Sequence, residues 1–478
     1  MKNNVKQIVL AVSALIIFSM SLFAQTDGQK VKIFASSANS KDMLVPQQDI
    51  TFKQDFETEN LLINIYPEFR YQQVLGFGGA FTETSAYNFS LLSPDLQQKL
   101  AELLFGESGI DMNFCRTHIH SADFALSEYT YVKDGDVDLK TFSIDRDKQY
   151  ILPMIKAARK ANPDLWLFAS PWSPPAWMKD NNSLIKGGRL LPQYYKTWAE
   201  YFSRYLEEYK KEGIDFFAVT VQNEPKAVQT WESCVWTGKE EGEFAANFLR
   251  PILDKTGFGE TKIMVWDHNK ERVMERARES MSVPGAEKAI WGVGFHWYSG
   301  DHFDNLRMAH ELYPDKPLIS SEFCIHLGDQ NDWDDVERYA NEMIGDFNNF
   351  MAASVDWNLI VDLEGGPYHN RDNGGGVKAK VYVDKDKKDF ILGPLYYTVG
   401  HFSKFIKRDA VRIGSSVYND AIKVAAFSNP DGEIVVVVLN TTENDTTPKI
   451  RLNNYTAEFN LPAKSLQTLV IPGVNLNL

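Results

Sequence analysis

Between residues 72 and 403, short apolar runs rich in Val, Ile, Phe and Trp alternate with longer stretches whose apolar residues recur every three or four positions. A strand covered on both faces reads as a continuous apolar run, and an amphipathic helix lying over it reads with a period near 3.6. The alternation therefore predicts repeated βα units around a parallel sheet. Eight runs stand out, at 74–78, 113–118, 165–170, 217–222, 262–267, 293–296, 317–322 and 353–358, with helical patterns at 94–104, 145–161, 192–212, 240–255 and 332–350. Eight such units predict an α/β chain closed into a (β/α)8 TIM barrel, whose reacting residues gather at the C-terminal ends of the strands.

After residue 408 the pattern changes. Runs at 422–427 and 434–440 flank the turn Ser428-Asn429-Pro430-Asp431-Gly432 as a hairpin, and 449–452, 457–461 and 466–471 follow as further short strands. Residues 31–69 also read as strands, 61–66 most clearly, and are predicted to join the C-terminal strands in one all-β sandwich. The expected division is a signal peptide at 1–24, sandwich strands at 25–71, the barrel at 72–408 and further sandwich strands at 409–478.

The chain has 478 residues, 44% of them hydrophobic, enough for a barrel core and a second, smaller domain. Lys2 and Lys6, an apolar run at 8–18 and then Ser21-Leu22-Phe23-Ala24 read as a cleaved secretory signal, which predicts a secreted or periplasmic protein. No cysteine follows the small residues to take a lipid, and no other segment is apolar enough to span a bilayer. The formal net charge is −14 and grows more negative when the signal's two lysines leave, which disfavours nucleic acid and anionic membranes as partners. Cys115, Cys234 and Cys324 have the spacing of neither a disulfide framework nor a metal site, and no cofactor is expected. The 11 tryptophans suit a carbohydrate ligand, whose C–H faces stack on indoles.

Two of the strand runs end on a glutamate, Thr220-Val221-Gln222-Asn223-Glu224-Pro225 and Leu318-Ile319-Ser320-Ser321-Glu322-Phe323. They fall just past the fourth and at the end of the seventh predicted strand, where opposite sides of one barrel mouth can bring them together. A carboxylate beside an apolar strand is costly without a partner. Glycoside hydrolysis needs such a pair in unlike environments, one carboxyl protonated to serve the leaving oxygen and one ionised to attack or to activate water. The Gly76, Gly78, Gly79 cluster does not make a dinucleotide loop, because Phe81 stands where the third glycine belongs.

Seven segments, in order, extend this reading: Gly76-Phe77-Gly78-Gly79-Ala80-Phe81-Thr82, Ser170-Pro171-Trp172-Ser173-Pro174-Pro175-Ala176-Trp177-Met178-Lys179, Val221-Gln222-Asn223-Glu224-Pro225, Phe295-His296-Trp297-Tyr298, Trp357-Asn358-Leu359, Glu364-Gly365-Gly366-Pro367 and Gly400-His401-Phe402-Ser403-Lys404-Phe405-Ile406. Together, over roughly residues 70 to 408, they resemble glycoside hydrolase family 30, the glucosylceramidase-like family. The resemblance implies a clan A retaining β-glycosidase with Glu224 as acid/base and Glu322 as nucleophile. It also implies that Asn223 holds the sugar 2-hydroxyl, that Asp123 binds outer hydroxyls, and that Trp172 and Trp357 flank the reacting sugar. Arg116 matches an arginine near the nucleophile, Tyr298 a donor to it, and His296 a pocket residue.

The segment after Pro367 departs from the family, with Asp372 at the counted position of a substrate-side Asn and a glycine-rich, charged run to Lys380. The expected function is hydrolysis of β-glucosidic bonds, in a β-1,6-glucan or in small β-glucosides, by double displacement. β-Xylosidase, β-fucosidase and β-1,6-galactanase activities stay open within the family. A non-catalytic carbohydrate-binding protein is the alternative from another class, separated by an assay on aryl β-glycosides. Oligomeric state is not legible.

Overall fold

The computed structural model of the protein describes residues 28–55, 61–328, 332–369 and 375–473. The expected signal peptide at 1–24 and the counted position Asp372 lie outside the described residues. Two compact units emerge, one spanning Val74–Lys404 and the other built from both chain ends, up to Gln73 and from Phe405.

The first unit is a closed barrel of eight parallel strands. We label them β1 (Gly76–Phe81), β2 (Phe114–Ile119), β3 (Trp166–Pro171), β4 (Ala218–Thr220), β5 (Lys262–Asn269), β6 (Gly292–His296), β7 (Leu318–Glu322) and β8 (Met351–Asn358). Phe114, Phe168, Ala218, Met264, Ile319 and Val355, from six of these strands, pack together in the barrel interior. The glycines of β1 act within the strand: a Cβ on Gly78 would lie 2.0 Å from the Phe114 carbonyl oxygen of β2, so only glycine permits this close approach.

Differences from expectation have local causes. The helix expected at 145–161 begins at Ile151. An earlier start would place Pro153 in the helix interior, where its ring and missing N–H disrupt the ladder, whereas Ile151 puts it in the tolerated first turn. The helix expected at 240–255 starts at Gly238, with Thr237 and Glu240 forming a reciprocal capping box, and loosens into a π-turn over Ala245–Leu249 just before Pro251. A small sheet of Ile360–Asp362, Val381–Asp384 and Asp389–Leu392 follows β8 and was not predicted.

In the second unit, Lys30–Ser37 pairs with Ser465–Ile471, and Leu62–Gln73 lies between Val411–Val417 and Lys449–Leu452, so both chain ends share one 11-stranded sheet. Val31, Ile63, Ile413, Val436, Ile450 and Leu469 close on a common apolar core, the interior of a sandwich. Among the described residues, no helix is long and apolar enough to cross a membrane.

Candidate active site

Arg116, in β2, has no solvent exposure, and its guanidinium makes five hydrogen bonds. Nη1 donates to Glu322 Oε2 (2.8 Å) and the Ser321 carbonyl (3.0 Å), Nη2 to Asn223 Oδ1 (2.8 Å) and Asp267 Oδ2 (2.7 Å), and Nε to Ser170 Oγ (3.2 Å). Every N–H of the rigid fork is used, so one side chain fixes groups from β3, β5, β7 and the segment after β4. A buried cation needs such carboxylate partners to offset its lost hydration.

Asp267 reaches this network because β5 bulges between Trp266 and His268, with Asp267 in the left-handed region at φ 50°. Its carboxylate also accepts from Thr220 Oγ1 (2.8 Å), Ser321 Oγ (2.5 Å) and His296 Nε2 (3.0 Å). Burial pushes Asp267 up, but the Arg116 and His296 charges overcome it and hold the carboxyl well below the usual range.

Glu322 ends β7. Glu224, past β4, also has a left-handed backbone, φ 48°, with its N–H donated to the Asp267 carbonyl (2.9 Å), while Asn223 N–H donates to the Pro171 carbonyl (2.8 Å). Strain of this kind persists where neighbouring bonds over-determine the backbone. The arrangement brings an oxygen of Glu224, an oxygen of Glu322 and Nδ1 of His296 within 4.8 Å of one another. Tyr298 Oη donates to Glu322 Oε1 (3.0 Å), so Glu322 is held at both oxygens. Gln229 Nε2 donates to Glu224 Oε2 (3.4 Å).

His296 Nδ1 lies 3.4 Å from Glu224 Oε1 and 3.8 Å from Glu322 Oε1. Burial disfavours the imidazolium, yet the surrounding Glu322, Asp267 and Glu224 raise its pKa to about 9. Burial likewise pushes Glu224 up, but protonated His296, the His268 charge and Gln229 bring it down to about 2. Glu322 is raised, first by burial and then by the negative charges of Glu224 and Asp267, against the opposing charges of His296 and Arg116. Glu224, His296 and Glu322 have the spacing of a metal site, where a metal would have to displace the proton that the surrounding carboxylates hold on His296.

A cleft of about 310 Å³ opens over the two carboxylates. Asp123, Trp172, Asn223, Tyr298 and Trp357 line it with Glu224 and Glu322. The indoles of Trp172 and Trp357 lie 5.1 Å apart, and the Arg116 guanidinium sits over Trp172 at 4.8 Å. Asn223 accepts from Arg116 through Oδ1, so its amide nitrogen remains for a ligand. Asp123 is pushed well above the usual carboxylate range, by burial first and by Glu322, Glu232 and Glu224 next.

Arg116 lies behind the wall. His296, expected to line the pocket, is fully buried and faces both glutamates from behind; Nε2 is bonded to Asp267, while Nδ1 lies near both carboxylates with no hydrogen bond. Asp267, Gln229, Trp231 and His268 escaped the sequence reading. Asp267 left a trace, a charge closing the fifth apolar run, that does not by itself single it out, whereas Gln229 and Trp231 sit in a loop with no strand to register them. Past Pro367, Gly375 and Val377 reach the cleft, and His369 pairs with buried Glu232 at 3.3 Å.

Residues 74–406 match the glycosyl hydrolase family 30 TIM-barrel domain, and residues 409–469 match the family's beta sandwich domain. Mouse (Mus musculus) lysosomal acid glucosylceramidase is 33% identical over 410 residues, covering 80% of this chain and 78% of that protein. The structure of SrfJ from Salmonella typhimurium superposes with a TM-score of 0.90 at 33% identity, covering 93% of this chain and 99% of that one. The endo-beta1,6-glucanase BT3312 does so with a TM-score of 0.83 at 28% identity, covering 92% and 99%.

Proposed function

The chain belongs to glycosyl hydrolase family 30, and from that premise we propose that it is an exported retaining β-glycosidase that opens β-glucosidic bonds by double displacement. One observation carries the mechanism: oxygens of Glu224 and Glu322 lie within 4.8 Å. Retention needs carboxyl groups about 5–5.5 Å apart, whereas inversion needs roughly 6.5–9.5 Å to admit a water between sugar and base. The β-glucoside preference is supported by relatives named for glucosylceramide and β-1,6-glucan hydrolysis.

In the open cleft the exchangeable proton rests on His296, 3.4 Å from Glu224. A sugar filling the cleft excludes water from Glu224 and raises it from its resting value of about 2. Double displacement requires this change so that Nδ1 can pass its proton to Glu224 Oε1, leaving a neutral imidazole whose Nε2–H still donates to Asp267. That transfer removes the like charge of Glu224 beside Glu322 together with the larger opposing charge of His296, leaving Arg116 and Tyr298 to hold the anion. An Oε of Glu322 forms a bond to the anomeric carbon as the bond to the leaving oxygen breaks, and Glu224 protonates that oxygen. Water next attacks the same carbon, gives its proton to Glu224 and frees Glu322. Asn223 Nδ2 is placed to hold the 2-hydroxyl, a contact that strengthens as positive charge develops.

The test is the anomer first released from an aryl β-glucoside, followed by NMR before mutarotation. A β-anomer is expected; an α-anomer would refute double displacement. Digestion of pustulan, laminarin, aryl β-xyloside, β-fucoside and β-galactan, with product sizing, reads glycone, linkage and cleavage mode. Export rests on the 1–24 pattern, and mass spectrometry of the mature N-terminus tests it.

A further inference from the structure

The sandwich unit contains a cleft of about 610 Å³, nearly twice the catalytic one and within the roughly 300–1,000 Å³ usual for ligand sites. Its floor is the paired strands Lys30–Ser37 and Ser465–Ile471, and its walls are the 40–50 segment and residues 447 to 462. Gln467 on the floor is only 2% exposed; its Nε2 donates to the Asn460 carbonyl (3.0 Å), while Oε1 is buried with no donor. That oxygen is closed off from the cleft as well as unpaired, so the polar groups a ligand can reach are those of the walls. Around it, the side chains of Gln48, Asp49, Thr447 and Glu458 make no hydrogen bond or ion pair among the described residues.

The lining contains no Lys, Arg or His, which disfavours phosphate, sulfate and uronate. Amides and hydroxyls beside carboxylates match vicinal diols, and half-buried Val45 and Ile50 supply apolar area for sugar C–H faces. We propose that this cleft is a second carbohydrate site, binding a neutral glucan chain away from the point of cleavage. It rests on the glycan-hydrolase reading but not on which linkage is cut. The sandwich cleft gives a polymer an attachment point that a small glycoside in the catalytic cleft does not use, so polymer binding gains with no change in chemistry.

The probe is soluble pustulan in native affinity electrophoresis of the full chain, with Glu322→Gln so that polymer is not consumed. Combining this with Gln48→Ala, Asp49→Ala and Glu458→Ala, all exposed, should weaken retardation about tenfold. In the active background the same three changes should raise KM for pustulan while leaving aryl β-glucoside kinetics and Tm unchanged. Equal retardation of both proteins, or no retardation of either, overturns the proposal. So does a Tm increase with calcium chloride that the three changes abolish while retardation stays the same, which would mark a cation site. If the unsubstituted chain cleaves no aryl glycoside, the functional reading fails while the gel comparison still decides this one.

Discussion

Two groups of buried acids in the same barrel serve different ends. Asp147 has no solvent exposure and is surrounded by the phenols of Tyr129 (3.1 Å), Tyr131 and Tyr209 (2.7 Å), which all donate to it. Burial raises its pKa to about 6, although the three phenols oppose the rise. Glu322 is nearly as buried and Glu224 somewhat less so, and both are perturbed as well. Burial and a shifted pKa therefore do not mark a reactive acid. The difference is that the glutamates face an open cleft, approach each other within 4.8 Å and lie beside the ionisable His296, whereas Asp147 is closed in by neutral donors.

That contrast breaks most sharply at Glu322. Glu322→Gln should cost about 10⁵-fold in kcat, the scale on which an activated nucleophile acts, with azide restoring turnover as an inverted glycosyl azide. Near-normal turnover would remove Glu322 from the role. Glu224→Gln should cost roughly 10²–10⁴-fold on unactivated glucosides and much less on aryl glycosides with good leaving groups, since general acid help matters least there. An equal loss on both substrates would argue that Glu224 positions rather than protonates. Arg116→Met removes the cation common to Glu322 and Asp267, and should lower stability by about 3–5 kcal/mol in urea unfolding. A loss under 1 kcal/mol would mean the two carboxylates relax without it.

The barrel was legible because its strands are buried on both faces: seven of the eight runs fall within two residues of observed strands at both ends, the fourth bracketing the shorter β4. β1 was displaced because glycine hides strand character that here arises from close packing against β2. Val411–Val417 was missed, since Gly414, Ser415 and Ser416 break its apolar run, and the strands of the 360–392 sheet are too short to show a period. Glu224 and Glu322 could be read because each stands at the edge of an apolar run. Asp267 could not be ranked above other acids, since its meaning lies in Arg116, a residue distant in sequence. His296 was visible as a residue but not as one behind the wall, because a strand's last side chain can point either way.

The smallest expected effect separates the two acid groups by the sign of their pH dependence. A carboxyl whose folded pKa is raised binds protons more tightly in the native state, so Asp147 should make stability fall as pH rises from about 4 to about 6, by about 3 kcal/mol. Glu224, depressed to about 2, works in the other direction: its contribution is present above its ordinary range and is lost as pH falls toward 2. His296, raised to about 9, stabilises below its ordinary value near 6.5 and loses that contribution as pH climbs to 9. Urea unfolding across pH 4 to 6 of the parent and of Asp147→Asn isolates the first of these. The substitution keeps the shape of the protonated acid, so aryl glucoside turnover should be unchanged while the fall in stability between pH 4 and 6 becomes about 3 kcal/mol smaller than in the parent. The remainder belongs to groups such as Asp346 and Asp356, which burial also raises to about 6. A variant that keeps the parent's full slope would place the titrating group elsewhere, and one that loses activity would mean that the phenol cage and the cleft are a single network.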